Sequence, residues 1–381
     1  MTGSSGLGPN ANLIGKPGCR TDLATPCLVL NLAGLHRNLT RAADVCRASG
    51  IALRPHAKTH KCTAIAHLQL AAGAGGICVA TVGEAEAIAA GGISDILVTS
   101  TITQAGKMAR AVELARTVML TLVADDPGVA ASIGKAAAAA GVTIAVHVDV
   151  DLGRHRNGVT SPEQAVAVAN AIASSPALRL AGLQAYASHI SHLEDYAARL
   201  AASRECAITI AAVRGALESA GHRIETVTGG STGTLFMDLE IGCYTELQCG
   251  SYAVGDVEYA ALELVETGGC PFEAALFVRV TVVGRNYPGR VTCDGGNKHF
   301  SAKGTLPAFA APPSPGAVYR PDSDEHGIIE LATGAPQPAL GAGFELVVPH
   351  CDPTVNLYDH YHVVDGQTLI DIWPIDARGA F

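Results

Sequence analysis

The chain has 381 residues, 48% of them hydrophobic, 16% charged and 4% aromatic, so it can bury a substantial aliphatic core, and its length allows two domains or a large barrel with a small partner. Its 26 Lys and Arg residues against 35 Asp and Glu give a net charge of −9, which argues against nucleic acid as a partner. No apolar run reaches the roughly 18 residues of a membrane span, and the opening sequence MTGSSGLGPNANLIGKPG lacks the features of a signal peptide. We therefore expect a globular protein without a membrane partner, preceded by a flexible N-terminal arm over residues 1–24.

The eleven cysteines indicate the cellular compartment. Their number is odd, none forms a CxxC pair, and the chain shows no secretory feature. This usage predicts reduced thiols in the cytoplasm, most of them small residues of the core.

Between residues 50 and 255, short β-branched runs alternate with Ala-rich helical stretches, which is typical of βα units around a parallel sheet. In helical stretches such as Pro127–Ala140 and Pro162–Ala173, apolar positions recur three and four residues apart. The eight β-branched runs favour a TIM-type (β/α)8 barrel over the alternative, an open doubly wound sheet. The runs are Ala52–Pro55, Gly76–Ala80, Asp95–Thr99, Val118–Val123, Thr143–Val150, Leu178–Tyr186, Arg223–Thr228 and Thr245–Cys249.

After Leu264 the pattern changes to Gly, Pro and short alternating runs, which predicts a second, mostly β domain over residues 265–381. Examples of these runs are Ala275–Val282, Phe344–Val348 and His362–Val364. The barrel is then expected over residues 25–264, although the strand-like segment Cys27–Leu30 can belong to either domain.

Polar residues follow several predicted barrel strands, and the carboxyl ends of barrel strands are where active sites form. These residues are Lys58, Arg156, Tyr186 with His189 and His192, the run Gly229–Gly233, and Gly250-Ser251-Tyr252. The sequence therefore predicts a single site at this end of the barrel.

Lys58 is the candidate nucleophile of this site. It lies between His56 and His60 at the predicted barrel mouth, where loss of solvent disfavours the ammonium form and is expected to lower its pKa, as suits Schiff-base chemistry. Lys61 is the alternative lysine.

The glycine-rich TGGSTGT at 228–234 has the composition of an anion-binding nest.

A second polar cluster, PHCDPT at 349–354, follows the predicted strand Phe344–Val348. If the segment is extended, His350 and Asp352 point to one face, where they can bind a divalent ion, and Cys351 points away. The alternative ligand pair, His350 with Cys351, favours zinc.

Several segments taken together resemble the D-threonine aldolase and D-3-hydroxyaspartate aldolase family of alanine-racemase-like, fold type III enzymes that use pyridoxal 5'-phosphate (PLP). The resemblance extends from about Thr25 to the end of the chain. The segments are RPHAKTHK at 54–61, DLGRHRNGV at 151–159, GLQAY at 182–186, GGSTGT at 229–234, YTELQCGSY at 244–252, DEHG at 324–327, PHCDPT at 349–354 and WPIDARG at 373–379.

The resemblance implies a role for each matching residue. Lys58 matches the lysine that binds PLP covalently, with His56 in support; Arg156 matches the arginine facing the pyridine nitrogen, and Tyr186 a tyrosine beside the ring. His192 matches the base on the substrate hydroxyl, with His189 as its competitor. His350 and Asp352 match the metal ligands, for Mn²⁺ or Mg²⁺ with Zn²⁺ as a further option. The residues expected to hold the phosphate are Gly229, Gly230, Thr232, Gly250, Ser251 and Tyr252.

The implied activity is that of a lyase. It cleaves a D-β-hydroxy-α-amino acid of the D-threonine or D-3-hydroxyaspartate type to glycine and an aldehyde, in a homodimer. The alternative is a dehydratase that gives an oxo acid and ammonia, because VATVGEAE at 79–86 is similar to D-serine dehydratases. Asp352 stands where those dehydratases have Cys, which favours the aldolase.

Overall fold

The structure is a computed structural model that describes residues 6–301 and 304–381. Its strands form two sheets, one of eight strands and one of nine. No helix in the described part of the chain is long and apolar enough to cross a membrane.

The eight-stranded sheet is parallel and forms the predicted barrel. Its strands run in the order β2-β9-β8-β7-β6-β5-β4-β3, and a parallel bridge between His56 and Cys78 closes the circle. Each predicted run contains one strand or overlaps it. The strands are β2 (Ala52–Leu53), β3 (Ile77–Val79), β4 (Asp95–Val98), β5 (Met119–Ala124), β6 (Ile144–Val150), β7 (Leu178–Ala185), β8 (Thr226–Gly229) and β9 (Glu246–Leu247).

The helices that alternate with these strands begin and end at capping residues. Before Pro127, for example, the Asp126 side chain accepts the N–H groups of Gly128 and Val129, and Gly141 ends the helix in the left-handed conformation. The helices are α1 (Leu32–Ala48), α2 (Thr63–Ala71), α3 (Val82–Ala90), α4 (Ala105–Leu114), α5 (Pro127–Ala140), α6 (Pro162–Ala173), α7 (Tyr196–Ser219), α8 (Leu235–Ile241) and the short α9 (Val257–Ala260).

The second sheet forms a mostly β domain beside the barrel. Its main path is β13-β14-β11-β10-β1-β16-β17, with β15 also paired to β10 and β12 paired to β15. A short helix, α10 (Cys351–Val355), follows β15. The strands are β1 (Cys27–Asn31), β10 (Leu276–Gly284), β11 (Arg290–Cys293), β12 (Ala308–Phe309), β13 (Val318–Pro321), β14 (Gly327–Glu330), β15 (Gly343–Val347), β16 (His360–Asp365) and β17 (Thr368–Pro374).

The first strand of the chain lies inside this second sheet. β1 runs antiparallel to β10 and parallel to β16, and it leads directly into α1 of the barrel. The second domain is therefore built from both ends of the chain.

The segment expected to be a flexible arm lies against the second domain, apart from residues 1–5, which are outside the described ranges. It contains two short 3-10 helices, Ala11–Leu13 and Cys19–Asp22. The amide of the buried Asn10 contacts His362 Nε2 at 2.9 Å, and Arg20 donates from Nε to Glu345 at 2.8 Å. These polar contacts, one buried and one partly buried, give the segment a defined place on the sheet.

The eleven cysteines all lie in the described ranges, and each has a free thiol. Nine of them are buried, which agrees with the expectation that most are small residues of the core.

Candidate active site

A cavity of about 570 Å³ lies at the carboxyl ends of the barrel strands and is lined on one side by the segment that follows β15. It brings together most of the residues singled out in the sequence: His56, Lys58, Arg156, Tyr186, His189, His192, Gly230, Thr232, Gly250, Ser251, His350 and Asp352. Gly229 and Tyr252 are not among the lining residues. The sequence thus predicted one site, and the fold places these side chains around one cavity.

Lys58 lies in a 3-10 turn that follows β2, and the Lys58 N–H donates to Nδ1 of His56 at 3.3 Å. Its Nζ is 3.8 Å from Asp352 Oδ1 and 5.7 Å from the centre of the Tyr186 ring. Burial, the largest single effect, disfavours the ammonium form, but the negative charge of Asp352, together with smaller contributions from Tyr186 and Cys78, outweighs it, and the pKa of Lys58 is raised. The expected lowering of this pKa was wrong, because the sequence did not show the carboxylate.

Lys61 points away from the cavity. Its Nζ lies 3.1 Å from Glu84 Oε1 and 3.1 Å from Asn356 Oδ1, in a buried ion pair. This geometry leaves Lys58 as the lysine that a cofactor in the cavity can reach.

Arg156 lies in the loop after β6, with its guanidinium carbon 5.9 Å from the centre of the Tyr186 ring. Asp151 Oδ1 accepts the N–H groups of Gly153, Arg154 and His155, which folds the loop back on itself. The Tyr186 ring therefore has two cations, Lys58 and Arg156, within 6 Å of its centre.

Two loops, after β8 and β9, form a cradle of small residues. Gly230 has a φ of +71°, and a Cβ at Gly250 would lie 2.4 Å from Thr59 Oγ1 and 2.9 Å from the His56 carbonyl oxygen. Thr59 Oγ1 is buried and has no hydrogen-bond partner among the described residues. Thr232 Oγ1 accepts the Tyr252 N–H at 3.0 Å and joins the two loops. Hydroxyl groups, an unpaired buried donor and close backbone approach fit a bound phosphate.

Gly229 and Tyr252 shape this cradle from outside the cavity. A Cβ at Gly229 would lie 1.9 Å from the Ala185 carbonyl oxygen, so glycine lets β8 approach β7. The Tyr252 ring is 1% exposed and lies 5.7 Å from the Phe272 ring.

His350 and Asp352 form the candidate metal pair, with His350 Nε2 3.9 Å from Asp352 Oδ2. The segment does not meet the condition of being extended: His350 is the residue before α10, and Asp352 lies in the first turn of that helix. The Cys351 thiol is buried and donates to Asp352 Oδ2 at 3.3 Å, and burial raises its pKa well above the ordinary value. Cys351 is not among the residues that line the cavity, which argues against the alternative pair of His350 with Cys351.

Sequence reasoning missed three residues beside this pair, at the start of α9. Asp256 Oδ2 lies 2.8 Å from His350 Nδ1, Glu258 Oε2 lies 3.8 Å from His192 Nδ1, and the Tyr259 ring is 4.6 Å from the His192 ring. Burial lowers the pKa of His192, so its imidazole is neutral near pH 7. Asp256 precedes a helix and reads in the sequence only as an N-cap.

A second missed group lies on the barrel interior. Gln184 Nε2 donates to Asp149 Oδ1 at 2.9 Å, and Gln248 Nε2 donates to Gln184 Oε1 at 3.3 Å. Burial raises the pKa of Asp149 to about 7. The inward-facing side of β6 was the one available signal for Asp149, because alternate residues of a barrel strand face inward.

Comparison with known proteins agrees with this architecture. The family model "Alanine racemase, N-terminal domain" matches residues 30–258, and "Putative serine dehydratase domain" matches residues 275–364. An alanine racemase from Clostridium difficile, 14% identical, superposes with a TM-score of 0.71 over 93% of this chain and 99% of that chain, which shows the shared fold. The fold is therefore alanine-racemase-like.

Relatives of higher identity place the chain more narrowly. A D-threonine aldolase from Arthrobacter sp is 40% identical over 96% of this chain and 95% of that protein. A 3-hydroxy-D-aspartate aldolase from Paracoccus denitrificans (strain Pd 1222) is 35% identical over 94% of this chain and 93% of that protein. The crystal structure of a D-threonine aldolase from Filomicrobium marinum, 36% identical, has a TM-score of 0.91 over 94% of this chain and 97% of that chain. This chain belongs to the family of these aldolases.

Proposed function

We propose that this protein is a lyase that uses PLP and a divalent metal ion to cleave a D-β-hydroxy-α-amino acid, of the D-threonine or D-3-hydroxyaspartate type, to glycine and an aldehyde. The observation that carries the proposal is the shared cavity, in which Lys58 Nζ lies 3.8 Å from Asp352 Oδ1. One substrate molecule can therefore contact a group on Lys58 and an ion on Asp352 together. The family to which the chain belongs supports the reaction.

PLP fits the residues of this cavity. Lys58 would hold it covalently, the Gly230–Thr232 and Gly250–Ser251 loops would hold its phosphate, and Arg156 and Tyr186 would flank its ring. When bound, PLP supplies an electron sink for the charge that develops at Cα as the Cα–Cβ bond breaks. The permanently charged guanidinium of Arg156 opposes protonation of a ring nitrogen placed beside it.

His350 and Asp352 fit a divalent ion of the Mn²⁺ or Mg²⁺ type, since one nitrogen and one carboxylate face the cavity and the neighbouring thiol does not line it. Such an ion supplies Lewis-acid stabilisation of a substrate oxygen.

His192 is the proposed base on the β-hydroxyl. Its Nδ1 faces Glu258, which leaves Nε2 for the substrate, and the neutral ring can accept a proton near pH 7. His189 also lines the cavity, but its ring lies beside Gly153, and a Cβ at Gly153 would be 3.7 Å from its Nε2. His56 Nε2 lies 3.1 Å from Thr99 Oγ1, a contact that fits a supporting role beside Lys58.

Assembly and location are part of the proposal. We expect a homodimer with sites near the interface, on the basis of the family resemblance, and the eleven free thiols fit the cytoplasm. Sedimentation velocity at micromolar concentration checks the first expectation; a monomer would contradict it.

The experiment that tests the function is turnover of D-threonine and D-3-hydroxyaspartate with Mn²⁺ and with EDTA, assaying glycine, aldehyde and oxo acid in one tube. Metal-dependent glycine with an aldehyde is the expected result. Oxo acid and ammonia without glycine would overturn the proposal in favour of dehydration. Dehydration is the activity in the name of a relative, a D-threo-3-hydroxyaspartate dehydratase from Delftia sp. (strain HT23). That protein is 30% identical to this chain, over 92% of this chain and 97% of that protein.

A further inference from the structure

We infer that Asp256 is a positioning residue for the metal site and that it holds the His350 imidazole with Nε2 facing Asp352. This inference rests on the proposed function, because it takes His350 and Asp352 as the ligands of the ion. Asp256 itself is not among the residues that line the cavity.

The carboxylate of Asp256 is fixed by three donors. Its Oδ2 lies 2.8 Å from His350 Nδ1 and accepts the Cys351 N–H at 3.1 Å. Its Oδ1 accepts the Tyr259 N–H at 2.8 Å and so caps α9. The side chain has no exposed surface, so water does not compete for these bonds.

The contact with His350 determines what the other ring nitrogen does. When Nδ1 donates its proton to Asp256, Nε2 carries the lone pair, and it lies 3.9 Å from Asp352 Oδ2. A carboxylate that accepts from the second nitrogen of a metal-binding histidine fixes both the tautomer and the ring orientation. Glu258 Oε2 lies 3.6 Å from the same Nδ1, which is too far for a hydrogen bond.

Asp256 could instead bind an ion directly, because among residues 6–301 and 304–381 the side chains of Asp256, His350 and Cys351 form the one group of three potential ligands within 4.8 Å of one another. The hydrogen bonds argue against that role. Oδ2 of Asp256 already accepts two N–H groups, and the Cys351 thiol donates to Asp352. An ion bound by Asp256, His350 and Cys351 would displace these hydrogen bonds. An ion between His350 Nε2 and Asp352 would leave both hydrogen bonds to Asp256 Oδ2 in place.

The test is a Mn²⁺ titration of the PLP-loaded protein, followed by the electron paramagnetic resonance signal of free Mn²⁺. Asp256→Ser keeps an N-cap for Tyr259 but is too short to reach His350. We expect its dissociation constant for Mn²⁺ to rise about 10- to 100-fold, with unchanged stoichiometry, unchanged PLP absorbance, and kcat restored at saturating Mn²⁺. Asp256→Asn keeps the side-chain size and serves if the serine variant does not fold. Its amide must turn a donor toward either Tyr259 or His350, so we expect weaker binding there too.

Two controls separate the possible failures. Asp126→Ser makes the same exchange at the exposed N-cap of α5 and should leave Mn²⁺ affinity within about twofold of wild type, since the Asp126 carboxylate accepts N–H groups of its own helix and does not line the cavity. His350→Ala should abolish binding. If Asp256→Ser binds as tightly as wild type while His350→Ala does not bind, the inference fails and the proposed function stands. If kcat stays low at saturating Mn²⁺, a positioning role is excluded; if His350→Ala binds like wild type, the proposed metal site itself is wrong.

Discussion

Lys58 and Asp352 face each other across the cavity, with Nζ 3.8 Å from Oδ1. Lys58 follows β2 of the barrel, whereas Asp352 follows β15 of the second domain. Two groups separated by 294 positions in the sequence are thus adjacent, and the site exists only where the two domains meet. The first prediction concerns the lysine of this pair.

Replacing Lys58 with Ala should abolish covalent PLP binding, because Lys61 is held away from the cavity by Glu84 and Asn356. Borohydride reduction followed by peptide mapping identifies the modified lysine. Lys61→Met is the matched control. It should retain bound PLP but lose about 3–5 kcal/mol of stability, since it leaves a buried carboxylate unpaired. A reduced adduct on Lys61 in wild-type protein would contradict the assignment.

Gly250→Ala should weaken PLP binding at least tenfold, because the new Cβ would lie 2.4 Å from Thr59 Oγ1 and push the cradle apart. Dialysis against buffer, followed by absorbance of the retained cofactor, measures the loss. Gly215→Ala on α7 meets no atom within 4 Å and should keep the cofactor, with a stability gain of up to about 1 kcal/mol. If both variants retain PLP equally, the cradle is not the site that binds the phosphate.

The Tyr259 ring packs against His192, with the two ring centroids 4.6 Å apart and the ring planes inclined by 37°. Tyr259→Phe keeps this contact and should leave kcat within about twofold of wild type. Tyr259→Leu removes the flat surface, frees the imidazole to rotate and should lower kcat about tenfold. Steady-state kinetics at saturating metal separate the two; a large loss in the Phe variant would mean that the hydroxyl acts on the substrate.

Asp238 makes stability depend on pH in an unusual direction. Burial raises its pKa from 3.8 to about 7, although Thr234 Oγ1 donates to it. The folded state therefore holds the proton more tightly than the unfolded state, and this contribution to stability falls as the pH rises from about 4 to 7. Relative to Asp238→Asn, wild type should lose about 3 kcal/mol between pH 5 and pH 8.

Urea unfolding of both proteins at the two pH values measures this difference. Taking the difference between proteins cancels other groups that titrate in the same range, including Asp149, whose pKa is also about 7. An equal change in both proteins would show that Asp238 is not the group responsible.

The barrel was predictable because each strand run is bounded by helical stretches with their own caps, as at Pro127 and Gly141. The N-terminal segment was harder to place. Its contacts, such as Arg20 with Glu345, join residues at opposite ends of the sequence, and nothing local to residues 1–24 indicates them.

The candidate site likewise contains residues that local sequence indicates and residues that depend on distant contacts. Lys58, Arg156, Tyr186 and the glycine loops were found because each lies just after a barrel strand. Asp256 was missed because its importance depends on His350, 94 positions away. The direction of the Lys58 pKa shift was missed for the same reason, since Asp352 reaches the lysine only through the packing of the two domains.

The position of β1 between β10 and β16 has a consequence for synthesis. As the chain leaves the ribosome, β1 emerges before the other strands, while its parallel neighbour β16 begins 329 residues after β1 ends (360 − 31). The barrel can close as soon as β9 has been made, but β1 must wait for most of the remaining chain before its sheet is complete. His350 and Asp352, the proposed metal ligands, are translated in the same late interval, so a newly made chain gains both only as the sheet begun by β1 is finished.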